Sequence, residues 1–393
     1  RLKRMGYTED DIGGDFHLPE LDLDKKDIPL ITQDSIIRLP VTVSDERYAL
    51  DRIMVYVNDV PLYASNGIDL SGEKEQQLKY TVPIRLLPGE NQVQVSVLNE
   101  KGAESLRRSF SVIRDVEHPG NRLFLVTIGV SEYENEEFNL QYAAKDARDI
   151  AATISQAGGI YEEVNHLSLL NEEVTLEALQ KVKEFLSQAE PEDVVILFIA
   201  GHGVLDESFN YYFAPHDIDF NDPSARGIPY EVLEALLTGT RSMKKLLFMD
   251  TCHSGEVDKE EVEVMKEVEV QVEDVEFRNA GVGIRQKNAF GFGNSIDLMN
   301  NLFADVSNGT GATVIASSGG AEFAMESDEW QNGLFTYCLL QGMSGLKADK
   351  DYNRQISLSE LRAYVYKEVQ TMSNGLQRPT SREDNISLDF RVW

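Results

Sequence analysis

The sequence predicts an α/β protein in which helices cover both faces of a mostly parallel sheet, with a small all-β domain before it. Continuous apolar runs alternate with amphipathic segments over the C-terminal two thirds of the chain, which is typical of a helix-covered parallel sheet. Between residues 31 and 115, apolar and polar residues instead alternate with a period of two. The 393 residues are enough for two domains.

The first 115 residues are predicted to contain no catalytic unit. Residues 1–30 are polar and acidic, and we interpret them as a lead-in or linker. Residues 31–115 form short strands at roughly ten-residue spacing, such as 53–57 and 92–97, which predicts a small β-sandwich. The pattern resembles the Ig-like modules that bacterial multidomain proteins place beside catalytic domains. We therefore expect a spacer or docking module.

Residues 121–393 are predicted to form the catalytic domain. Residues 123–129 form a continuous apolar run, as expected for a strand that is buried on both faces. Ser357 followed by Glu360 predicts a capping box at the start of the last helix. The other predicted elements are strands at 194–200, 244–249 and 313–318, and helices at about 140–154, 174–189, 230–237 and 334–343.

Composition excludes several classes of partner and site. A formal charge of −30 argues against a general nucleic-acid binder or an anionic-membrane binder, and it fits either a basic substrate or simple solubility. Two cysteines cannot form a disulfide framework, so a reducing, cytoplasmic setting is expected. The sequence contains no apolar run of about 18 residues, so no membrane span is expected. The first residue is Arg rather than Met, so we interpret the chain as processed or part of a longer protein, with upstream domains or an activator possible.

His202 and Cys252 are the residues most suited to catalysis. A thiol becomes a good nucleophile as thiolate, and histidine can exchange its proton near neutral pH. Each residue follows a buried run, and groups at the carboxyl ends of parallel strands collect at one edge of a sheet. The alternatives to catalysis are that His202 is an ordinary loop histidine and that Cys252 is a buried apolar residue. The occurrence of both residues at equivalent strand ends favours a catalytic pair.

Other titratable residues fit the role less well. His253 is adjacent to the thiol and should point away from it, and His216 reads as a loop residue near the rim of the cleft. Cys338 lies in an apolar helical stripe, which favours core packing. Three acids after the fourth strand are weak candidates for substrate contacts: Glu322, Glu326 and Asp328.

Residues 201–203 (Gly-His-Gly) together with residues 250–255 (Asp-Thr-Cys-His-Ser-Gly) resemble the motifs of the caspase-like cysteine peptidases. The pattern is most similar to the metacaspase and bacterial caspase-homologue branch, which reads D-x-C-H-S-G. It differs from the animal pattern Q-A-C-x-G, because an acid precedes the thiol by two positions and the glycine is one position later. The resemblance covers about residues 121–393 and implies a caspase-like fold.

The resemblance also implies roles for individual residues. Cys252 would be the nucleophile and His202 the general base, with the N–H groups of Gly203 and Cys252 as the oxyanion hole. Asp250 and Asp146 would line the S1 pocket, which holds the side chain on the N-terminal side of the cleaved bond (P1). Two carboxylates favour a basic side chain, and Arg gives the better bidentate fit.

The segment 256–300 has a different composition, with Val alternating with Glu or Lys and several glycines after it. It stands where the caspase-like family divides its larger and smaller parts, so we expect mobile chain and a possible self-cleavage site. The basic candidates are Arg278, Arg285 and Lys287, with Lys259 and Lys266 before them. Its glycines complete no G-x-G-x-x-G motif after a strand, which argues against a dinucleotide site.

The sequence therefore predicts an endopeptidase that cleaves protein or peptide substrates after Arg or Lys. The alternatives are a non-enzymatic scaffold of the same fold and another cysteine hydrolase, such as an acyl transferase or amidase. No cofactor or metal ligand is assigned. Calcium dependence is left open, because some metacaspases use clustered acids and Asp217, Asp219 and Asp222 lie close together in sequence.

Overall fold

The computed structural model describes residues 17–24, 26, 28–63, 66–117, 120–156, 159–206, 210–254, 275–277, 310–318, 324–381 and 389–393, with the backbone alone at 252–254 and 275–277. The chain divides into two compact units. The first comprises Arg1–Gly120, Asp305–Gly311 and Asp384–Leu388. The second comprises Asn121–Ala304, Ala312–Glu383 and Asp389–Trp393.

The first unit is built from strands. They are β1 (Glu20–Asp22), β2 (Ile31–Thr32), β3 (Ile36–Ser44), β4 (Leu50–Val57), β5 (Val60–Pro61), β6 (Ile68–Asp69), β7 (Gln77–Arg85), β8 (Gly89–Asn99) and β9 (Arg108–Arg114). One sheet has the order β1-β3-β7, and the other has the order β2-β9-β8-β4-β5 with β6 on β4. On β3 the residues Leu39, Val41 and Val43 are buried and their neighbours are not, as the period of two requires.

Strand β1 lies within the stretch that sequence analysis treats as a lead-in. It pairs antiparallel with β3, and Leu21 is buried between two acidic residues. A three-residue strand with one apolar residue has no periodicity to detect, so only its pairing partner identifies it.

The second unit alternates strands and helices. Its strands are β10 (Arg122–Gly129), β11 (Glu163–Leu170), β12 (Val194–Leu205), β13 (Tyr211–Phe213), β14 (Ile228–Pro229), β15 (Lys244–Ser254), β16 (Val275–Phe277), β17 (Thr313–Ala316), β18 (Met325–Ser327), β19 (Asn332–Gly333) and β20 (Thr380–Ser381). Its α-helices are α1 (Ala143–Ser155), α2 (Leu176–Leu186), α3 (Pro223–Arg226), α4 (Tyr230–Thr238), α5 (Leu334–Met343) and α6 (Leu358–Met372). Short 3₁₀ helices span Glu136–Phe138 and Asn171–Glu173.

The main sheet of this unit has the order β11-β10-β12-β15-β17-β20, with β13 and β14 at the side. The first five strands run parallel, and β20 is antiparallel to β17. Alternate residues of β10 face opposite layers: Leu123 joins a core cluster with α1, α5 and α6, whereas Phe124 contacts Phe185 of α2. Helices therefore cover both faces, as predicted, and the capping box of Ser357 and Glu360 is confirmed.

Three features of the second unit differ from the predicted elements. The short strands β13, β14, β18, β19 and β20 have no counterpart in the prediction. Strand β11 is absent from the prediction, because an edge strand with partly exposed residues lacks a continuous apolar run. Strands β12 and β15 continue past their apolar runs to Leu205 and Ser254, so His202 and Cys252 lie within the strands rather than after them. None of the described helices is long and apolar enough to cross a membrane.

Candidate active site

The backbone register of two neighbouring strands brings His202 and Cys252 together. Strands β12 and β15 are parallel, and the Cα atom of His202 is paired in register with the Cα atom of Cys252. Neighbouring strands lie about 4.8 Å apart, so the two positions are as close as strand spacing permits. The register follows from the two apolar runs, Val194 pairing with Lys244 and each later residue with its counterpart.

The imidazole of His202 is held in one orientation by a backbone carbonyl. The residue is 1 % exposed, and its Nε2 lies 2.9 Å from the carbonyl oxygen of Phe138. A carbonyl oxygen can only accept a hydrogen bond, so Nε2 carries the proton of this bond. In the neutral ring, Nδ1 then carries the lone pair and is the nitrogen that can take up a proton.

The backbone beside His202 requires glycine. Gly201 has a φ of +149°, where residues with a side chain are rarely found. A Cβ atom there would lie 3.1 Å from the ring of Phe213 and 3.3 Å from the hydroxyl of Tyr133. On the other side, Gly203 pairs in register with Phe213 of β13 and with His253 of β15.

The backbone of β15 is anchored just before Cys252. The hydroxyl of Ser317 donates to the carbonyl oxygen of Thr251 at 3.3 Å, and the side chain of Gln377 donates to the carbonyl oxygen of Ser317 at 3.0 Å. The hydroxyl of Tyr211 donates to that of Thr251 at 3.2 Å. Thr251 is completely buried. These contacts restrain the strand that carries the cysteine.

The two predicted S1 acids both bind residues at the N-terminal end of helix α5. Asp250 accepts a hydrogen bond from the hydroxyl of Thr336 at 2.6 Å. Asp146 accepts one from the N–H of Gly333 at 3.2 Å and one from the side chain of Asn332 at 2.9 Å. Both acids are 0 % exposed. A helix N-terminus carries a partial positive charge, which favours acidic groups placed beside it.

The remaining sequence candidates take structural positions or lie outside the described residues. His216 donates from Nδ1 to the carbonyl oxygen of Glu132 at 2.6 Å and so braces a loop. Cys338 is confirmed as a core residue, and burial raises the pKa of its thiol to about 12. Glu326 is buried and accepts from the N–H of Gln141 at 2.9 Å.

Asp328 pairs with the hydroxyl of Tyr142. The side chain of His253 is not described. Glu322 and the predicted processing residues lie outside the described residues: Arg278, Arg285, Lys287, Lys259 and Lys266.

Several residues at the site have little or no detectable signal in the sequence. Phe138 contributes a backbone oxygen, which any residue type could supply. Tyr133 and Thr336 contribute hydroxyls from segments that are distant in sequence from their partners. Thr336 has one signal in the sequence, its position in the first turn of a predicted helix, because helix N-termini bind anions.

The described residues that could hold a metal lie elsewhere. Among them, a single group of three acids has ligand oxygens within 4.8 Å of one another: Asp349, Asp351 and Glu360. With Asn353 they have the spacing of positions 1, 3, 5 and 12 in an EF-hand calcium loop. The glycine usual at position 6 is replaced by Arg354, whose φ of +62° keeps the left-handed conformation. The three acids singled out in the sequence, at 217, 219 and 222, form no such group.

Comparison with known proteins identifies a family for the larger unit. The family model described as the caspase domain matches residues 122–390. Among solved structures, a Geobacter sulfurreducens protein determined as a structural-genomics target is 16 % identical, with a TM-score of 0.43, covering 66 % of this chain and 92 % of its own. The fibronectin(III)-like modules of Clostridium thermocellum CbhA are also 16 % identical, with a TM-score of 0.19, covering 26 % of this chain and 52 % of theirs. No curated protein matches significantly.

Proposed function

The chain belongs to the caspase-domain family, and from this membership we propose that it is a cysteine endopeptidase that cleaves after Arg or Lys. The observation that carries the proposal is the pairing of His202 with Cys252 across β12 and β15. A nucleophile needs its base nearby, and the Cα pairing of the two residues on neighbouring strands supports His202 as the base for Cys252.

In the proposed reaction, Nδ1 of His202 takes the proton of the Cys252 thiol, and the thiolate attacks the substrate carbonyl carbon. The resulting oxyanion is bound by the N–H groups of Gly203 and Cys252, a device worth about 3 kcal/mol per donor. The imidazolium then protonates the leaving amine, and the C–N bond breaks to leave a thioester. Water, deprotonated by the same nitrogen, releases the carboxylic acid and restores the thiol.

The preference for a basic P1 residue is proposed from Asp250 and Asp146. Both carboxylates are buried at the N-terminal end of α5, where Asp146 accepts a hydrogen bond from Gly333 and Asp250 accepts one from Thr336. A substrate guanidinium would donate hydrogen bonds to the two carboxylates, and its planar fork matches carboxylate geometry bidentately. The overall charge of −30 attracts cationic peptides in the same sense.

Fluorogenic peptides that differ only at P1 (Arg, Lys, Gln and Asp) test the proposal on the full chain. We expect turnover of the Arg and Lys peptides, with none by Cys252→Ala or His202→Ala. Turnover that survives in Cys252→Ala would contradict the mechanism, and preferred cleavage after Asp would contradict the specificity. A folded wild type without turnover, with or without calcium, would favour the scaffold alternative, and turnover of simple amides or esters alone would favour another hydrolase.

Self-cleavage within 256–300 is part of the proposal, with Arg278, Arg285 and Lys287 as candidate sites. Intact-mass spectrometry should find cut products in the wild type and an uncut chain in Cys252→Ala. An uncut chain in both would contradict self-cleavage and leave cleavage of other substrates unaffected.

A further inference from the structure

We propose that Tyr133 is a positioning residue for the catalytic base: its hydroxyl fixes the backbone of His202, and its ring helps to fix the plane of the imidazole. The inference rests on the proposed peptidase activity, in which His202 is the base. Tyr133 is not among the residues implied by the sequence motifs, and at 3 % exposed it offers almost no surface to a substrate.

The hydroxyl of Tyr133 connects two strands. It accepts a hydrogen bond from the backbone N–H of His202 at 3.1 Å. It donates its own proton to the carbonyl oxygen of Val130 at 3.3 Å, immediately after strand β10. One hydroxyl therefore uses both its acceptor and its donor capacity to tie β12, at the position of the base, to the end of the neighbouring strand.

Aromatic rings surround the imidazole on more than one side. The ring of Tyr133 has its centroid 5.1 Å from that of His202, and the ring of Phe220 lies 5.7 Å away at nearly a right angle. Phe220 is itself stacked on Phe138 at 3.8 Å and contacts Tyr133 at 5.6 Å. These rings pack around the imidazole and restrict its rotation about its side-chain bonds.

A single loop after β10 holds His202 at two points. Tyr133 binds its backbone N–H, and the carbonyl of Phe138 binds Nε2 of its ring. The side chain of Asn139 connects these two points, because it accepts a hydrogen bond from the N–H of Tyr133 at 2.8 Å. The loop is fixed in turn by Asn171, which accepts from the N–H of Ser131 at 2.9 Å.

The consequence for catalysis is geometric. The bond to Phe138 makes Nδ1 the basic nitrogen, and the direction of Nδ1 then depends on the position of the backbone and the ring plane. Removing the hydroxyl of Tyr133 takes away the acceptor of the His202 N–H while leaving the aromatic ring. Misplacement of a catalytic group by a fraction of an ångström lowers the chemical step without a matching loss of substrate binding.

Tyr133→Phe is the decisive variant, with Tyr161→Phe as its matched control. Tyr161 is also a buried tyrosine, and its hydroxyl donates to the carbonyl oxygen of Val392 at 3.4 Å. Neither Tyr161 nor Val392 is part of the proposed site. For Tyr133→Phe we expect kcat to fall on the order of 10-fold with KM changed by less than about two-fold. Tyr133→Leu, which loses the ring as well, should fall further, and Tyr161→Phe should match the wild type.

A readout independent of turnover completes the test. In protein labelled with ¹⁵N-histidine, the Nε2–H signal of His202, assigned by its loss in His202→Ala, should shift or broaden in Tyr133→Phe and stay unchanged in Tyr161→Phe. An unchanged signal together with unchanged kcat in a folded Tyr133→Phe would overturn the inference. If the wild type shows no turnover, the proposed function fails, and the ¹⁵N signal alone still decides whether Tyr133 positions the ring.

Discussion

Replacing Thr336 with valine tests how the buried carboxylate of Asp250 is held. Valine keeps the volume of threonine and removes the hydroxyl that donates to Asp250 at 2.6 Å. A hydrogen bond to a charged group contributes about 1.5–3 kcal/mol, and both residues are completely buried, so water cannot replace the lost donor. The free energy of unfolding should therefore fall by about 1.5–3 kcal/mol.

The same substitution should affect specificity more than reactivity. Without this hydrogen bond the carboxylate of Asp250 is held less firmly in the proposed pocket, so kcat/KM for Arg peptides should fall by roughly 10-fold or more relative to Gln peptides. Alkylation of Cys252 by iodoacetamide, which needs no S1 contact, should stay within about two-fold of the wild-type rate.

Thr127→Val is the matched control for Thr336→Val. Thr127 is equally buried, and its hydroxyl pairs with Ser168 at 3.2 Å and lies 3.0 Å from Nε2 of His166, groups that are not implicated in the site. It should lower the free energy of unfolding by about 1 kcal/mol and leave the Arg-to-Gln ratio unchanged. The reasoning is refuted if Thr336→Val keeps the wild-type Arg-to-Gln ratio and the wild-type urea midpoint.

Three further predictions concern titration and metal binding. Burial raises the pKa of Cys338 to about 12, so iodoacetamide at pH 8 should leave it unlabelled in the folded protein while Cys252 reacts; peptide mapping that finds it labelled would contradict its burial. Burial lowers the pKa of Lys245 to about 8, so the unfolded chain binds more protons between about pH 8 and 10.5 and stability rises with pH there. Lys245→Met should abolish this rise in urea unfolding and stabilise the protein at pH 7 by up to about 3 kcal/mol; an unchanged pH profile would contradict the assignment. Millimolar Ca²⁺ should raise the Tm of the wild type and not of Glu360→Gln, which keeps the capping box and loses the carboxylate; an equal rise in both would place calcium elsewhere.

Sequence periodicity predicted most of the larger unit because its strands are buried on both faces. Continuous apolar runs marked β10, β12, β15 and β17, and helix α5 has the predicted bounds. The missed strands are short or lie at an edge of a sheet. Strand β11 is at an edge of the sheet, and β1 has three residues, so both depend on a neighbouring strand for their structure.

The residue types and spacing of Gly-His-Gly and Asp-Thr-Cys-His-Ser-Gly already indicated the chemistry, because equivalent positions on parallel strands must meet at one edge of the sheet. The tertiary structure alone decided how these groups are oriented. The contact of His202 with Phe138 joins residues 64 positions apart, that of Asp250 with Thr336 spans 86, and that of Asp146 with Gly333 spans 187. A carbonyl, a hydroxyl and an N–H that act at such separations have no local pattern, so the choice of basic nitrogen and the anchoring of both acids follow from packing.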